Sequence, residues 1–286
     1  MPIDIEKVLG AEIPPVDARW NADKVILYHL GLGAGVPATD PAELQYTYEG
    51  DLKVLPSFAV IPLMGTIIGL FGLDGVNINL AMLLHGEQEI ELHAPIPVKA
   101  EITTTATVTD ILDKGKGAVV IVEARSATRD GEPLFTNRFS AYIRGEGGFG
   151  GPSGPPVGNQ PPDRAPDHEV QCPTLEQQAL LYRLCGDKNP LHADPSFAAK
   201  GGFDRPILHG LCSYGMACKA VVDTVLGGDV TRVAGYAARF AGVFFPGETM
   251  VVSMWVQGDR ILLGARSKER DAPVLSNAVI TVKESA

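Results

Sequence analysis

Apolar and polar residues alternate, or β-formers cluster, over eight stretches of the chain, four in each half: 89–93, 100–112, 118–128 and 135–143, then 237–245, 249–257, 260–268 and 272–282. A period of two marks strands with one face buried, so each half is expected to carry an antiparallel sheet. Asp113-Lys114-Gly115, Arg129-Asp130-Gly131 and Gln257-Gly258-Asp259 supply the turn residues of hairpins between them. One stretch has a different period. From Leu208 to Val225 the chain is apolar almost all round and closes on Leu226-Gly227-Gly228, which suits a helix buried inside a domain. Residues 58–70 are its counterpart in the first half, where Pro62, glycines and β-branched residues weaken the helical pattern. An α+β fold is expected, with a curved antiparallel sheet wrapped around a long buried helix in each of two repeats.

The halves are weak copies of each other. Tyr28 and Tyr182 lie 154 residues apart, and the same offset carries Asp40-Pro41 onto Asp194-Pro195. Pro56 and Gly65 meet Pro206 and Gly215 at an offset of 150, and Leu92 meets Phe240 at 148. Drift of this size is what loops tolerate. Residues 145–166, rich in glycine and proline, offer little to bury and cannot hold a regular ladder. The chain therefore divides into a first repeat over 1–144, a linker over 145–166 and a second repeat over 167–286.

Candidate chemistry sits in Gly186-Asp187-Lys188-Asn189-Pro190-Leu191-His192-Ala193-Asp194-Pro195. Asn189-Pro190 forces an extended or turn conformation, which brings an acid and an imidazole five residues apart toward one small volume. Such a pair can hold a water and move protons. The competing reading is a surface turn with Asp187 as a cap and His192 as a solvated bystander. At the offset of 154, Gly33 and Ala38 replace the pair while the surrounding frame stays, so the pair's role separates from folding and catalysis is favoured. Gly210 opens the buried helix, where free N–H groups and the helix dipole suit developing negative charge and no side chain blocks approach.

Composition excludes some partners. A net charge of −10 and a pI near 5.1 argue against nucleic acid or an anionic membrane. The first residues lack a secretory pattern, no window of about eighteen residues is continuously apolar, and Lys283-Glu284-Ser285-Ala286 is not a peroxisomal address, so a cytoplasmic protein is expected. Cys172, Cys185, Cys212 and Cys218 show no short paired spacing, which points to free thiols and no metal site.

With Phe203-Asp204-Arg205-Pro206-Ile207-Leu208-His209-Gly210-Leu211, the Asp187–His192 run resembles the signature of the MaoC-like, or type 2, enoyl-CoA hydratases. The likeness covers nearly the whole chain and is nearest to the two-domain form, similar to the hydratase part of the peroxisomal multifunctional enzyme. It implies a double hot-dog fold and a hydro-lyase that adds water to trans-2-enoyl-CoA, giving (R)-3-hydroxyacyl-CoA. Asp187 and His192 would then be acid and base, Asn189 would orient the water or the pair, and the Gly210 N–H would stabilise the thioester oxygen. The resemblance also implies that His85 and Gly86 lie along acyl-CoA, that Lys114 meets its anionic part and that Phe240 faces the ligand. No metal or cofactor is implied, CoA being part of the substrate, and the assembly implied is a homodimer. The first repeat would contribute acyl and CoA binding. His29, His93, His168 and His209 are read as structural or exposed. Val243 stands where relatives commonly have proline, which bears on the acyl channel. A hot-dog thioesterase and a non-catalytic acyl-binding subunit are the rival functions.

Overall fold

The computed structural model describes residues 3–78, 83–156 and 158–283, so the C-terminal residues 284–286 considered above as an address lie outside it. Ten strands form one antiparallel sheet: β1 (Glu12–Trp20), β2 (Leu83–Leu92), β3 (Ala100–Asp113), β4 (Gly117–Thr128), β5 (Pro133–Arg144), β6 (His168–Pro173), β7 (Val233–Phe240), β8 (Thr249–Gln257), β9 (Arg260–Ser267) and β10 (Pro273–Val282). Their order is β1-β3-β4-β5-β2-β7-β10-β9-β8-β6. The second five strands repeat the first five in reverse, and the two repeats meet where β2 pairs with β7. There Glu89 faces Ala237, the position 148 residues on. The offset seen in the sequence thus places a local twofold through this pair, the geometry of an isologous dimer contained in one chain.

Among the described residues, seven α-helices accompany the sheet: α1 (Ile5–Val8), α2 (Ala22–Gly31), α3 (Pro41–Thr47), α4 (Met64–Leu70), α5 (Gln178–Tyr182), α6 (Pro195–Lys200) and α7 (Gly210–Thr224). The repeat is visible in their caps. Asp40 accepts from the Ala42 N–H to open α3, and Asp194 accepts from the Ser196 and Phe197 N–H groups to open α6, each with proline in the first turn. The centre of the second repeat is α7, with eleven of its fifteen residues buried. Each of Val221 and Val222, fully enclosed, contributes on the order of 1.5–3 kcal/mol of transfer free energy. Helix α2 crosses α7 at Gly215, where a Cβ would stand 2.6 Å from the Tyr28 hydroxyl and from Leu32 Cδ2.

The double hot-dog is therefore as expected, with the three turns between 113 and 259 joining β3 to β4, β4 to β5 and β8 to β9. Four elements differ from expectation. Residues 58–70 do not form one long helix: a 3₁₀ turn over Pro56–Val60 precedes a separate α4, because Pro62 lacks an N–H and its ring clashes with the preceding turn. The stretch 237–245 ends as a strand at Phe240, and the carbonyl of Val243 instead accepts from Arg270 Nη2. Both sheet edges, β1 and β6, are additional. Strand β1 contains Pro14-Pro15, tolerated at an edge where the register shifts between Ile13 and Val16.

Polar side chains also tie the repeats together. Lys219 of α7 donates to Glu43 of α3 at 2.7 Å and to Asp223 at 2.8 Å, and the Tyr46 hydroxyl donates to Asp223 at 2.7 Å. His29 is fully buried between Tyr46 and Leu55: its Nδ1–H donates to the Tyr46 carbonyl at 2.8 Å and its Nε2 accepts from the Leu55 N–H at 3.2 Å. All four cysteines are free. Among the described residues no helix is long and apolar enough to cross a membrane.

Candidate active site

The turn between α5 and α6 is held by its own side chains. Asn189 donates its N–H to Asp187 Oδ1 at 3.0 Å, and its Oδ1 accepts from the Leu191 N–H at 3.0 Å. A 3₁₀ turn over Pro190–His192 follows, with proline at its start. Asn189, expected to orient the water or the pair, thus holds the Asp187 carboxylate through its main-chain N–H and the turn through its side-chain oxygen.

His192 is only 8 % exposed. Its Nδ1 lies 2.9 Å from the carbonyl of Ile207, an acceptor only, so Nδ1 carries the proton. Nε2 is then a bare lone pair facing Asp187 Oδ2 at 4.0 Å. That distance is too long for a direct hydrogen bond and fits one water oxygen touching both. Burial pulls the His192 pKa below its ordinary value, with Asp187 acting in the opposite direction, which keeps the imidazole neutral and able to accept.

Gly210 lies beside this pair at the first turn of α7. Its N–H takes no partner among the described residues, as expected at a helix start. A Cβ there would stand 2.9 Å from Phe240 Cδ1, so the glycine packs face to face with the Phe240 ring. Phe240 in turn packs edge-on against His85, with ring centroids 4.9 Å apart. His85 is turned this way by a register shift between His85 and Glu87 in the β2–β5 pairing. Gly86 occupies the shift, where a Cβ would meet Ser140 Oγ at 2.8 Å. Burial lowers the His85 pKa to about 4, against the raising effects of the Glu87 carbonyl and the Asp187 charge.

The structure thus gathers Asp187, Asn189, His192, Gly210, Phe240, His85 and Gly86 around one locus. Lys114 is not brought into it: its ammonium, at the tip of the β3–β4 hairpin, donates to the Ser153 carbonyl of the linker. On the outer side of His192 lies a cavity of about 570 Å³, walled by Arg205, Pro246 and Glu248 among others. This wall is held together, because the guanidiniums of Arg205 and Arg270 both lie over the Phe245 ring, at 4.5 and 5.0 Å from its centroid, and Arg270 binds Glu248 with two nitrogens.

One residue read as structural or exposed belongs to the site. His209 is buried, its ring stacks on His192 with centroids 3.7 Å apart, and its Nε2–H donates to the main-chain carbonyl of Asp187 at 3.3 Å. Ligand atoms of Asp187, His192 and His209 lie within 4.8 Å of one another. They do not converge on one ion as placed. Imidazole lone pairs lie in the ring plane, and two planes tilted by only 26° and stacked at 3.7 Å meet well beyond metal–nitrogen bonding distance.

A carboxylate and a neutral imidazole spaced to hold one water, next to a helix N-terminus in a hot-dog repeat, make a site able to move protons to and from water. The chain belongs to the MaoC-like family of type 2 enoyl-CoA hydratases. Residues 19–145 match the MFE-2 hydratase 2 N-terminal domain and residues 158–278 the MaoC like domain. The chain is similar to the enoyl-CoA hydratase ChsH3 of Mycobacterium tuberculosis, at 48 % identity over 98 % of both chains. It is 39 % identical to the peroxisomal enoyl-CoA hydratase 2 of Arabidopsis thaliana, over 95 % of this chain and 93 % of that one. The crystal structure of a MaoC-like dehydratase from Phytophthora capsici superposes with a TM-score of 0.85 at 31 % identity, over 99 % of this chain and all of that one.

Proposed function

We propose that the protein hydrates trans-2-enoyl-CoA to (R)-3-hydroxyacyl-CoA, reversibly, with Asp187 and His192 gripping the water that adds. The observation that carries this is the 4.0 Å gap between Asp187 Oδ2 and a His192 Nε2 left bare by the bond from Nδ1 to Ile207. Nε2 takes a proton from the water as its oxygen bonds to C3 of the enoyl thioester, and Asp187 stabilises the imidazolium that forms. Electron density moves onto the thioester oxygen, where the Gly210 N–H and the α7 dipole receive it. The imidazolium then returns the proton to C2, so the elements of one water are added and the pair is restored. His85, Gly86 and Phe240 line the path of the thioester.

The activity is that of a hydro-lyase. No step calls for a metal or redox group, and turnover unchanged by a chelator is the expected result. A contact between Lys114 and the CoA phosphates is part of the proposal, and it requires the ammonium to leave the Ser153 carbonyl to which it donates. So is a homodimer, for which the exposed side chains of Leu30, Leu180 and Leu184 on neighbouring segments offer an apolar face; sedimentation tests it. A cytoplasmic location is also proposed, and cell fractionation tests it.

The deciding experiment follows the ultraviolet band of the conjugated thioester in crotonyl-CoA, with Asp187→Asn and His192→Gln beside the native chain. Turnover falling by about 10²–10⁴-fold in each is expected for loss of a general acid–base group, with chiral analysis of the native product giving the (R) isomer. Native-like turnover in either variant removes that residue from the reaction.

A further inference from the structure

We propose that His209 is a positioning residue for the reaction, seating the Asp187 peptide and the His192 ring against one another. The inference rests on the reading that Asp187 and His192 activate the water.

His209 touches both partners in different ways. Its Nε2–H donates to the Asp187 carbonyl at 3.3 Å, and its ring lies on the His192 ring at 3.7 Å with a 26° tilt. Since the acceptor is a carbonyl oxygen, the proton sits on Nε2 and Nδ1 is bare. That Nδ1 is buried and has no hydrogen-bond partner among the described residues. An unpaired buried acceptor destabilises the fold, and an apolar ring of the same shape would avoid the cost while keeping the stack. What a hydrocarbon ring could not supply is the donor that fixes the Asp187 peptide.

The same histidine is backed from the first repeat. Tyr182 lies 5.0 Å from the His209 ring, and Tyr28 of α2 lies 6.1 Å from Tyr182. Gly31 lets α2 approach, since a Cβ there would stand 3.3 Å from Tyr182 Cα. A row of rings therefore runs from α2 to His192. With one edge of His192 tied to Ile207 and one face covered by His209, Nε2 keeps its direction toward Asp187. Burial, reinforced by the neighbouring His192, holds the His209 pKa well below its ordinary value, so this ring stays neutral beside an imidazole that must gain a proton during turnover.

Two variants separate the contributions in steady-state kinetics on crotonyl-CoA. His209→Phe retains the stack without the donor, and His209→Gln retains a donor without the stack. For each, kcat is expected to fall by about 10–100-fold, as for a small misplacement of reacting groups, with KM within about twofold, no loss of melting temperature and native-like near-ultraviolet circular dichroism. Native kcat in His209→Phe overturns the proposal. So does a loss of kcat in both variants that tracks a loss of thermal stability, which would make His209 only structural. Asp187→Asn and His192→Gln serve as references: if they stay active, the water-activation reading itself fails, whereas inactivity in both beside a native His209→Phe sinks the positioning role alone.

Discussion

Replacing Gly210 by alanine tests the electrostatic half of the mechanism without touching the acid–base pair. The added Cβ would stand 2.9 Å from Phe240 Cδ1 and 3.0 Å from Cε1. Ordinary carbon contacts begin near 3.5–4.0 Å, so the ring must retreat by roughly 0.7 Å. It has little room, because His85 packs against it at 4.9 Å. The N–H survives the substitution, but methyl and ring now crowd the space in front of it. A misplacement approaching 1 Å costs about 10²-fold in rate, equivalent to about 2.7 kcal/mol of transition-state stabilisation. Folding is not expected to suffer in proportion, since alanine is up to about 1 kcal/mol the better helix former. The expected outcome is kcat/KM on crotonyl-CoA reduced by about two orders of magnitude at an unchanged melting temperature. Trimming the obstacle in the double variant Gly210→Ala/Phe240→Leu should recover part of the loss, a non-additivity expected of residues in contact. A Gly210→Ala enzyme within about threefold of native would show that the thioester oxygen does not approach this N–H.

Other consequences concern pH and the seam between repeats. His192 must be neutral to accept a proton and burial lowers its pKa, so kcat/KM should rise with pH along an acidic limb whose midpoint lies under about 6.5; a midpoint above that contradicts the assigned role. His29, buried and neutral with a folded pKa of about 4, makes the fold lose stability as pH falls from about 6.5, because only the unfolded chain takes up the proton in that window. The loss reaches on the order of 2 kcal/mol by pH 5, measurable as a urea midpoint shift between pH 7 and pH 5 that His29→Gln should flatten. Lys219→Met leaves Glu43 and Asp223 without their shared cation; these side chains are 13–34 % exposed, so about 2 kcal/mol is expected, less than for a fully buried pair. Adding Glu43→Gln and Asp223→Asn should restore most of it in the same denaturation assay.

Much of this molecule was legible in its residues because several signals agreed. The Asp-Pro pairs at 40 and 194, one offset apart, both open helices, and the offset near the sheet centre reproduces the local twofold at Glu89 and Ala237. The turn that carries Asp187 and His192 was legible because Asn189-Pro190 leaves the chain few conformations. What escaped did so for physical reasons. Edge strands need little patterning, so Pro14 and Pro15 hid β1 and brevity hid β6. The role of Asn189 in holding the turn competes with any role toward water, and only geometry separates them. His209 was set aside because a histidine before a helix has no spacing relation to Asp187; its contact arises from the fold, which returns α7 to the turn. The one available signal was its place next to Gly210.

The segment between β5 and β6 has mechanical meaning. Strand β5 is fourth in the sheet and β6 is last, so the connection must cross six interstrand gaps, roughly 29 Å at about 4.8 Å each, a span nine extended residues could cover. Twenty-three residues are provided, 145–167. The surplus is anchored at both ends: Gly148 and Gly150 donate to Asp113 at 2.8 Å, while Asn277 reaches the Gly158 carbonyl at 2.7 Å and Arg260 reaches Asn159 at 2.5 Å. It behaves as a girdle rather than a tether, buckled to a hairpin of one repeat and to strands of the other. Cutting it with a protease should leave two fragments that still travel together through a sizing column.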